Sequence, residues 1–155
     1  MAEVLLSLGA DLGDPALQLD EAERRIGAVV GGVLARSRDH WTEPWGFTGD
    51  RLFLNRALLL RTTIEPDELM GRLLGVEAEL GRERKRGEGT VPRTADIDIL
   101  LYDDRVIDRP GLTVPHPRMH LRTFALAPAA DIAPGMRHPI LGRSVLELLH
   151  DLRRP

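Results

Sequence analysis

One stretch of the chain constrains the fold more than any other, the run from Asp96 to Tyr102. It alternates Asp, Ile, Asp, Ile, continues with apolar residues and meets a turn at Asp103-Asp104. Alternation bounded by turn residues predicts a β-strand. Residues two apart on a strand share one face, so we expect Asp96 and Asp98 to project together, with the two isoleucines on the opposite face.

The two carboxylates predict a site for divalent cations. Two residues of strand rise separate them by roughly 7 Å, so they can share a hard cation or bridge a pair of ions. Mg²⁺ prefers carboxylates, waters and phosphate oxygens as ligands. The alternative is an edge strand with a solvated acidic face. The basic run from Arg82 to Arg93, which leads directly into the strand, favours a site that binds metal and polyphosphate together.

Composition limits the class of protein. The 155 residues suit one domain covering 1–155, and 43% hydrophobic with 29% charged residues is typical of a globular protein. A net charge of −3 gives no general attraction to nucleic acid or anionic membranes. Cysteine is absent, which excludes disulfides and thiolate chemistry. We find no signal peptide and no apolar run of membrane length, so we expect a cytoplasmic protein. We also expect the protein to be a monomer.

The first half of the chain predicts strands and one helix. Val4 to Leu8 is a short strand ended by Gly9, and Asp14-Pro15 begins a helix that stops at Gly31-Gly32. Val33 to Trp41 is a second strand, 43–50 is a loop, and Leu52 to Thr63 is a long strand. Asn55 within that strand is explained equally well by an exposed face or by a hydrogen bond to a ligand.

The second half predicts further helices around the acidic strand. Pro66 opens a helix that Gly81 ends, and the basic run then forms a loop. Arg105 to Ile107 is a short edge strand, a helix starts near Pro117 and is broken by Pro128, and a capping box at Ser144 opens a last helix. The order β-α-β-β-α-β favours an α+β fold, a ferredoxin-like, mainly antiparallel sheet with helices packed on it.

Several motifs distributed over nearly the whole chain resemble those of the 6-hydroxymethyl-7,8-dihydropterin pyrophosphokinase family of folate biosynthesis. They are Ser7-Leu8-Gly9, Leu12-Gly13-Asp14, Thr42-Glu43-Pro44-Trp45-Gly46, Phe53-Leu54-Asn55, Glu77, Gly81-Arg82, Arg84-Lys85, Pro92-Arg93-Thr94, Asp96-Ile97-Asp98, Leu112-Thr113-Val114-Pro115-His116, Arg122 and Phe124. The blocks Pro-Arg-Thr-x-Asp-Ile-Asp and Thr-Val-Pro-His are highly specific in combination.

The resemblance implies an ATP-dependent enzyme that transfers the pyrophosphoryl group of ATP to the hydroxymethyl oxygen of the pterin and releases AMP. The substrates would be ATP and 6-hydroxymethyl-7,8-dihydropterin, and the cofactor would be two Mg²⁺ ions. Nucleic acid and membrane would not be partners. Either Asp96 or Asp98 could accept the proton of the hydroxyl group.

The resemblance also implies roles for individual residues. Asp96 and Asp98 would bind both metal ions, and Arg82 and Arg93 would neutralise charge on the transferred group. The ATP side would be formed by Glu77, Arg84, Thr113, His116 and Arg122. The pterin would lie between Phe53 and Phe124, with Asn55 at its edge and Thr42 and Trp45 beside it.

The chain departs from the family pattern at three places. Asp11 stands where the family usually has Asn, Thr90-Val91 replaces the usual Trp-Gly, and Pro117 follows the histidine in place of a frequent aromatic residue. None of these changes touches the metal carboxylates.

Two other classes of function fit part of the pattern. A two-metal nucleotidyltransferase or cyclase on a similar sheet would also use paired aspartates. An RNA-binding module would use the basic run, but it needs aromatic residues for stacking, and these make up only 4% of the chain.

Overall fold

The computed structural model describes residues 1–11, 13–42, 53–88 and 95–154, and for residues 82–88 it describes the backbone alone. The described strands and helices follow in this order: β1 Ala2–Ala10, α1 Pro15–Val29, β2 Val33–Arg36, β3 His40–Thr42, β4 Phe53–Thr62, α2 Pro66–Glu88, β5 Asp96–Tyr102, β6 Ile107–Arg109, β7 Leu112–Val114, a 3₁₀ turn Met119–Leu121, α3 Thr123–Ile132, β8 Arg137–His138, β9 Arg143–Ser144 and α4 Val145–Arg153.

The main sheet has the order β2-β4-β1-β5, and β3 also pairs with β4. Every pairing in it is antiparallel. Strands β2 and β3 therefore act as the second strand of a β-α-β-β-α-β unit whose outer strands are β2 and β5. This arrangement confirms the predicted ferredoxin-like, mainly antiparallel α+β fold. Strands β6 with β7 and β8 with β9 form two small separate ladders.

Helices cover both faces of the sheet, because alternate residues of its strands are apolar on both sides. On one face, Leu6 and Leu58 pack in a cluster with α1 and α2. On the other face, Leu5 and Ala57 pack in a second cluster with α3 and α4. The second face is covered only in part, and its uncovered end carries the polar side chains described below.

The first helix forms as the sequence predicts. The side chain of Asp14 accepts a hydrogen bond from the amide of Leu17 at 3.2 Å, and Pro15 follows at the first helical position. Gly32, after the helix, has a φ of +64°, and a Cβ atom there would lie 1.9 Å from the carbonyl oxygen of Arg61. Only glycine fits at this turn, which sends the chain into β2.

Two predicted strand boundaries are wrong. Strand β1 does not end at Gly9 but continues to Ala10, since Gly9 is paired with Asn55 on one side and Asp96 on the other. The stretch from Val33 to Trp41 is two strands, because Ser37 interrupts it. The Ser37 hydroxyl accepts the hydrogen bond of the Ala57 amide at 2.8 Å, in place of a backbone carbonyl.

Helix α2 is longer than predicted. Gly81 does not end it, and the first part of the predicted basic loop is helical through Glu88. A single glycine costs only about 1 kcal/mol relative to alanine, and the Arg, Glu and Lys residues that follow are good helix formers. Residues 89–93, the rest of the predicted loop, lie outside the described part of the chain.

Three predictions after β5 also need correction. The chain turns at Arg105, whose amide donates to the carbonyl of Tyr102, so the short strand starts only at Ile107 and pairs with β7. The helix expected near Pro117 begins at Thr123, after a 3₁₀ turn. Pro128 does not break α3, because burial of its neighbours against the sheet outweighs the lost hydrogen bond of about 3 kcal/mol. The capping box at Ser144 is confirmed.

Candidate active site

The floor of the site is formed where β4, β1 and β5 lie side by side. Asn55 is paired with Gly9, and Gly9 with Asp96; one step along, Ala57, Ser7 and Asp98 form a second row. Residues opposite each other on neighbouring strands project to the same face. Asn55 and both aspartates therefore share one face, separated in the first row only by a glycine.

This face is the one predicted from the alternation in β5. Ile97 and Ile99 are 5% and 3% exposed and pack on the opposite side, whereas Asp96 is exposed and Asp98 is partly exposed. Ala57, in the row of Asp98, is buried beneath α3 and α4. The carboxylates thus lie at the open end of a face whose other end is closed by helices.

Glu77 of α2 approaches the acidic strand from its outer edge. Its Oε2 accepts a hydrogen bond from the backbone amide of Ile97 at 2.6 Å, between the two aspartates in sequence. Burial raises the pKa of the Glu77 carboxyl; the hydrogen bond from Ile97 opposes this rise, and the charges of Asp96 and Asp98 add to it. Glu77 therefore lies close enough to the acidic strand for its carboxyl group to respond to the charges of both aspartates.

His116 is held at the same outer edge of β5. Its amide donates to the carbonyl of Leu100 at 2.9 Å, and its Nδ1 accepts from the amide of Arg118 at 3.1 Å. Burial lowers the pKa of His116, and the charges of Arg122 and Arg118 lower it further against the opposing effect of Asp98. The imidazole is therefore neutral at pH 7, with its proton on Nε2, where it can donate to an anionic ligand.

A cleft of about 770 Å³ opens between β3 and the start of α3. Thr42, Arg122 and Phe124 from the predicted set line it. Phe124 is 40% exposed and is not a core residue, and the guanidinium carbon of Arg122 lies 5.4 Å from the centre of its ring. The cleft therefore offers an aromatic surface beside a cation.

Asn55 links this cleft to the acidic floor. Its side chain is buried, which contradicts the exposed-face explanation, and its Nδ2 donates to Thr42 Oγ1 at 3.1 Å. Thr42 is paired with Phe53, so both residues share a face with Asn55. Phe53, Asn55 and the aspartates are not part of the lining of the cleft itself; they continue the same face toward β5.

The remaining predicted residues are only partly described. Thr113 lies exposed on β7. Arg82 and Arg84 fall in the last part of α2, residues 82–88, which is described by its backbone alone, and Trp45 and Arg93 lie outside the described residues. Among the described side chains, no group of three or more His, Asp or Glu residues is arranged to hold a metal ion. The paired carboxylates fit Mg²⁺ as a partial ligand set, because this ion usually keeps waters and substrate phosphate oxygens as its other ligands.

Sequence reasoning missed several residues of the cleft. Arg38, Asp39 and His40 line it from the β2–β3 side, and Arg153 lines it from α4. Ser7 and Gly9 were named in a family motif without a role, and they form the part of the floor that lies between β4 and β5. The polar types before β3 were visible in the sequence, but no spacing rule relates them to α3 or to the end of the chain.

Solved structures of HPPK-DHPS proteins share this architecture. A crystal structure titled as HPPK-DHPS in complex with substrates superimposes with a TM-score of 0.77 at 12% identity, covering 97% of this chain and 43% of that one. The wild-type HPPK-DHPS of Plasmodium falciparum gives a TM-score of 0.75 at 14% identity. The chain spans less than half the length of these proteins, and at such identities the likeness defines the fold alone.

The sequence itself places the chain within that class. Residues 5–134 match the family described as 7,8-dihydro-6-hydroxymethylpterin-pyrophosphokinase. The 2-amino-4-hydroxy-6-hydroxymethyldihydropteridine pyrophosphokinase of Methylorubrum extorquens is 40% identical over 153 residues, 98% of this chain and 94% of that protein. The enzyme of the same name from Aquifex aeolicus is 36% identical over 147 residues, 95% of this chain and 90% of that protein.

The chain belongs to the 7,8-dihydro-6-hydroxymethylpterin-pyrophosphokinase family. This confirms the resemblance predicted from the motifs. The reaction of the family is the ATP-dependent transfer of a pyrophosphoryl group to hydroxymethyldihydropterin in folate biosynthesis, and the chain is accordingly a transferase of the kinase type. Among the helices of the described residues, none combines the length and the apolar character needed to cross a membrane.

Proposed function

We propose that this pyrophosphokinase binds two Mg²⁺ ions through Asp96 and Asp98 and works as a monomeric cytoplasmic enzyme with one catalytic domain over residues 1–155. The observation that carries the metal assignment is the placement of both carboxylates on the open face of β5, with Glu77 adding negative charge beside them. Bound Mg²⁺ would neutralise charge on the phosphate oxygens of ATP and orient them.

We assign ATP binding to the polar and charged groups around β5. The Nε2–H of His116 and the guanidinium of Arg122 are available to phosphate oxygens, and both groups lie on the segment between β7 and α3. Glu77, Arg84 and Thr113 complete the ATP side in this assignment. Arg82 and Arg93 neutralise charge on the transferred group, which needs positioning and charge stabilisation rather than a covalent enzyme intermediate.

The pterin side uses the other end of the same face. The rings of Phe53 and Phe124 sandwich the flat bicycle, and Asn55 recognises its edge. Thr42 supports this geometry by accepting from Asn55 Nδ2, which fixes the amide and leaves its Oδ1 as the acceptor for a pterin N–H group. The family motif also assigns Trp45 to pterin binding.

The activity is tested with the purified protein, Mg²⁺-ATP and 6-hydroxymethyl-7,8-dihydropterin, followed by separation of the products. We expect AMP and a diphosphorylated pterin in equal amounts. Formation of ADP would indicate transfer of a single phosphoryl group, and free pyrophosphate with an adenylylated product would indicate a nucleotidyltransferase. Either result would contradict pyrophosphoryl transfer.

Replacement of Phe124 by alanine should weaken pterin binding. The ring is exposed at the mouth of the cleft, so its loss removes a stacking surface worth about 1–3 kcal/mol, roughly 5- to 150-fold in Kd. Binding of the Mg²⁺-nucleotide should change little, and the midpoint of thermal unfolding should stay close to that of the wild type. Separate titrations with each ligand give the answer, and equal weakening of both would remove Phe124 from the pterin site.

Replacement of Gly9 by valine should block the surface of the sheet between Asn55 and Asp96. A Cβ atom at this position would meet Asn55 Oδ1 at 3.5 Å, an ordinary contact, so Gly9→Ala is a control that should fold and keep most of its affinity. Valine is favourable in a strand, but its side chain extends further above the sheet than that of alanine. It would crowd a pterin bound over Gly9, and we expect a loss of pterin affinity of about tenfold or more. Pterin affinity within twofold of the alanine control would show that the ligand does not cross Gly9.

A further inference from the structure

Asp131, near the end of α3, makes an unusual set of contacts with the segment before β3. Its Oδ2 accepts from the amide and the Nε of Arg38 at 3.2 and 3.3 Å, and its Oδ1 accepts from Nη2 of Arg38 at 3.1 Å. The Nε2 of His40 lies 2.8 Å from Oδ2. One carboxylate, 17% exposed, therefore holds two residues that lie more than 90 positions away in the sequence.

This carboxylate is ionised at neutral pH. Its burial alone would raise the pKa of Asp131, but the hydrogen bonds from Arg38 and His40 outweigh that effect and hold the pKa below its usual range. The contacts are therefore charge-assisted hydrogen bonds, which as a class are stronger than neutral ones.

The strand that Asp131 holds is small and carries pterin-side residues. Strand β3 has three residues, and its one pairing among the described strands is with β4. His40 begins it opposite Asn55, and Thr42 ends it with the hydrogen bond from Asn55. So short a strand has few ladder hydrogen bonds, and its position depends on side-chain anchors.

The two walls of the cleft meet at Asp131. Arg38, His40 and Thr42 line one wall, and Arg122 and Phe124 line the other. Phe124 lies two turns of α3 before Asp131, about 10 Å away at the helical rise. A link between α3 and β3 at this point sets the distance between Thr42 and the aromatic ring across the cleft.

We propose that Asp131 is a positioning residue that holds β3 against α3 and so sets the width of the pterin pocket, an inference that rests on the pterin assignment made above. Asp131 is not itself part of the cleft lining. It acts through His40 and Arg38 on Thr42 and Asn55, and a displacement of about 1 Å at such a wall can cost about a hundredfold in an enzyme's efficiency.

The test compares Asp131→Ala with Asp151→Ala as a matched control. Asp151 of α4 also binds an arginine through both oxygens, Arg143 at 3.1 and 2.7 Å, but it lies outside the cleft lining. We expect Asp131→Ala to raise the Kd and the KM for 6-hydroxymethyl-7,8-dihydropterin about tenfold and to change those for Mg²⁺-nucleotide less than twofold. The control should change neither ligand.

A second variant, Arg38→Ala, tests the same inference if Asp131→Ala does not fold. Arg38 has a side chain that is 82% exposed, so Arg38→Ala removes two of the four contacts without disturbing the core. It should weaken pterin binding about threefold, and an unchanged pterin Kd in this single variant would contradict the inference. Where Asp131→Ala does fold, adding Arg38→Ala to it should have no further effect. An additive effect would mean that Arg38 acts on the ligand independently of Asp131.

The outcomes separate this inference from the proposed function. If the wild-type chain forms no AMP from ATP and the pterin, both assignments fail. If it does so while Asp131→Ala keeps its pterin Kd within twofold, or weakens both ligands equally, Asp131 is only a structural residue. A lower unfolding temperature with unchanged pterin affinity would lead to the same conclusion.

Discussion

Replacement of Asp98 by asparagine should abolish most of the turnover while the protein stays folded. The side chain is partly exposed on the open face of β5, so the change removes a charge without opening a cavity. Loss of a metal carboxylate removes charge stabilisation of several kcal/mol, and about 4 kcal/mol corresponds to roughly 1000-fold in kcat. The rate of AMP formation over a range of Mg²⁺ concentrations measures the effect.

The control for this variant is Asp108→Asn on β6, which makes the same change of charge at an exposed position on another ladder. It should leave turnover within about twofold, as expected for a surface substitution. A second readout is metal binding itself: Asp98→Asn should bind fewer Mn²⁺ ions in the presence of a non-hydrolysable ATP analogue. Near-normal turnover of Asp98→Asn in saturating Mg²⁺ would contradict the metal assignment.

Replacement of Arg56 by methionine should cause a large loss of stability. Arg56 is 3% exposed; its Nε donates to Asp39 at 2.8 Å and its Nη1 donates to Asp20 at 2.8 Å, with Glu23 at 3.8 Å. Burial opposes the charge of Arg56, but the hydrogen bonds to Asp39 and Asp20 outweigh it and raise the pKa of the guanidinium. Methionine would leave these carboxylates without their common partner, which should lower the free energy of unfolding by about 3 kcal/mol.

Urea unfolding of Arg56→Met and Arg61→Met measures this effect. Arg61, on the same strand, is half exposed and pairs with Glu3 at 3.3 Å, so its loss should cost no more than about 1 kcal/mol. Stability of Arg56→Met equal to the wild type would mean that the apolar side chain packs as favourably as the ion network, an outcome known for some buried ion pairs.

Arg56 and Asp131 together hold the short segment before β3 from two sides. Asp39 is bound by Arg56, which also binds Asp20 of α1, and its neighbours Arg38 and His40 are bound by Asp131 of α3. The segment leading to Thr42 is thus fixed by charged contacts to helices on both faces of the sheet. Replacement of either residue should therefore affect pterin binding more than it affects metal binding at β5.

The acidic strand could be predicted from the sequence because its information is local. A period of two residues determines that Asp96 and Asp98 share a face and that Ile97 and Ile99 are buried. The cap at Asp14 and the capping box at Ser144 are also local patterns, and both are confirmed. The family motifs added the activity, which the spacing of residues alone did not determine.

Predictions that depended on a single residue as a stop signal failed where other forces were stronger. Gly81 and Pro128 both lie inside helices, because helix-forming neighbours in one case and buried apolar neighbours in the other outweigh their cost. The break in the second strand could not be foreseen either, since it arises from a hydrogen bond between Ser37 and Ala57, twenty residues away.

By itself, the sequence determined the elements that present the chemistry: the strand carrying two carboxylates, the helix that follows Asp14, and the family to which the chain belongs. Only the tertiary structure decided that Asn55 and Asp96 lie in one row across Gly9, and that Asp131 reaches Arg38 and His40. The reason is physical. Periodicity fixes the direction of a side chain relative to its own strand or helix, but strand register and helix docking are set by burial of apolar faces from distant parts of the chain.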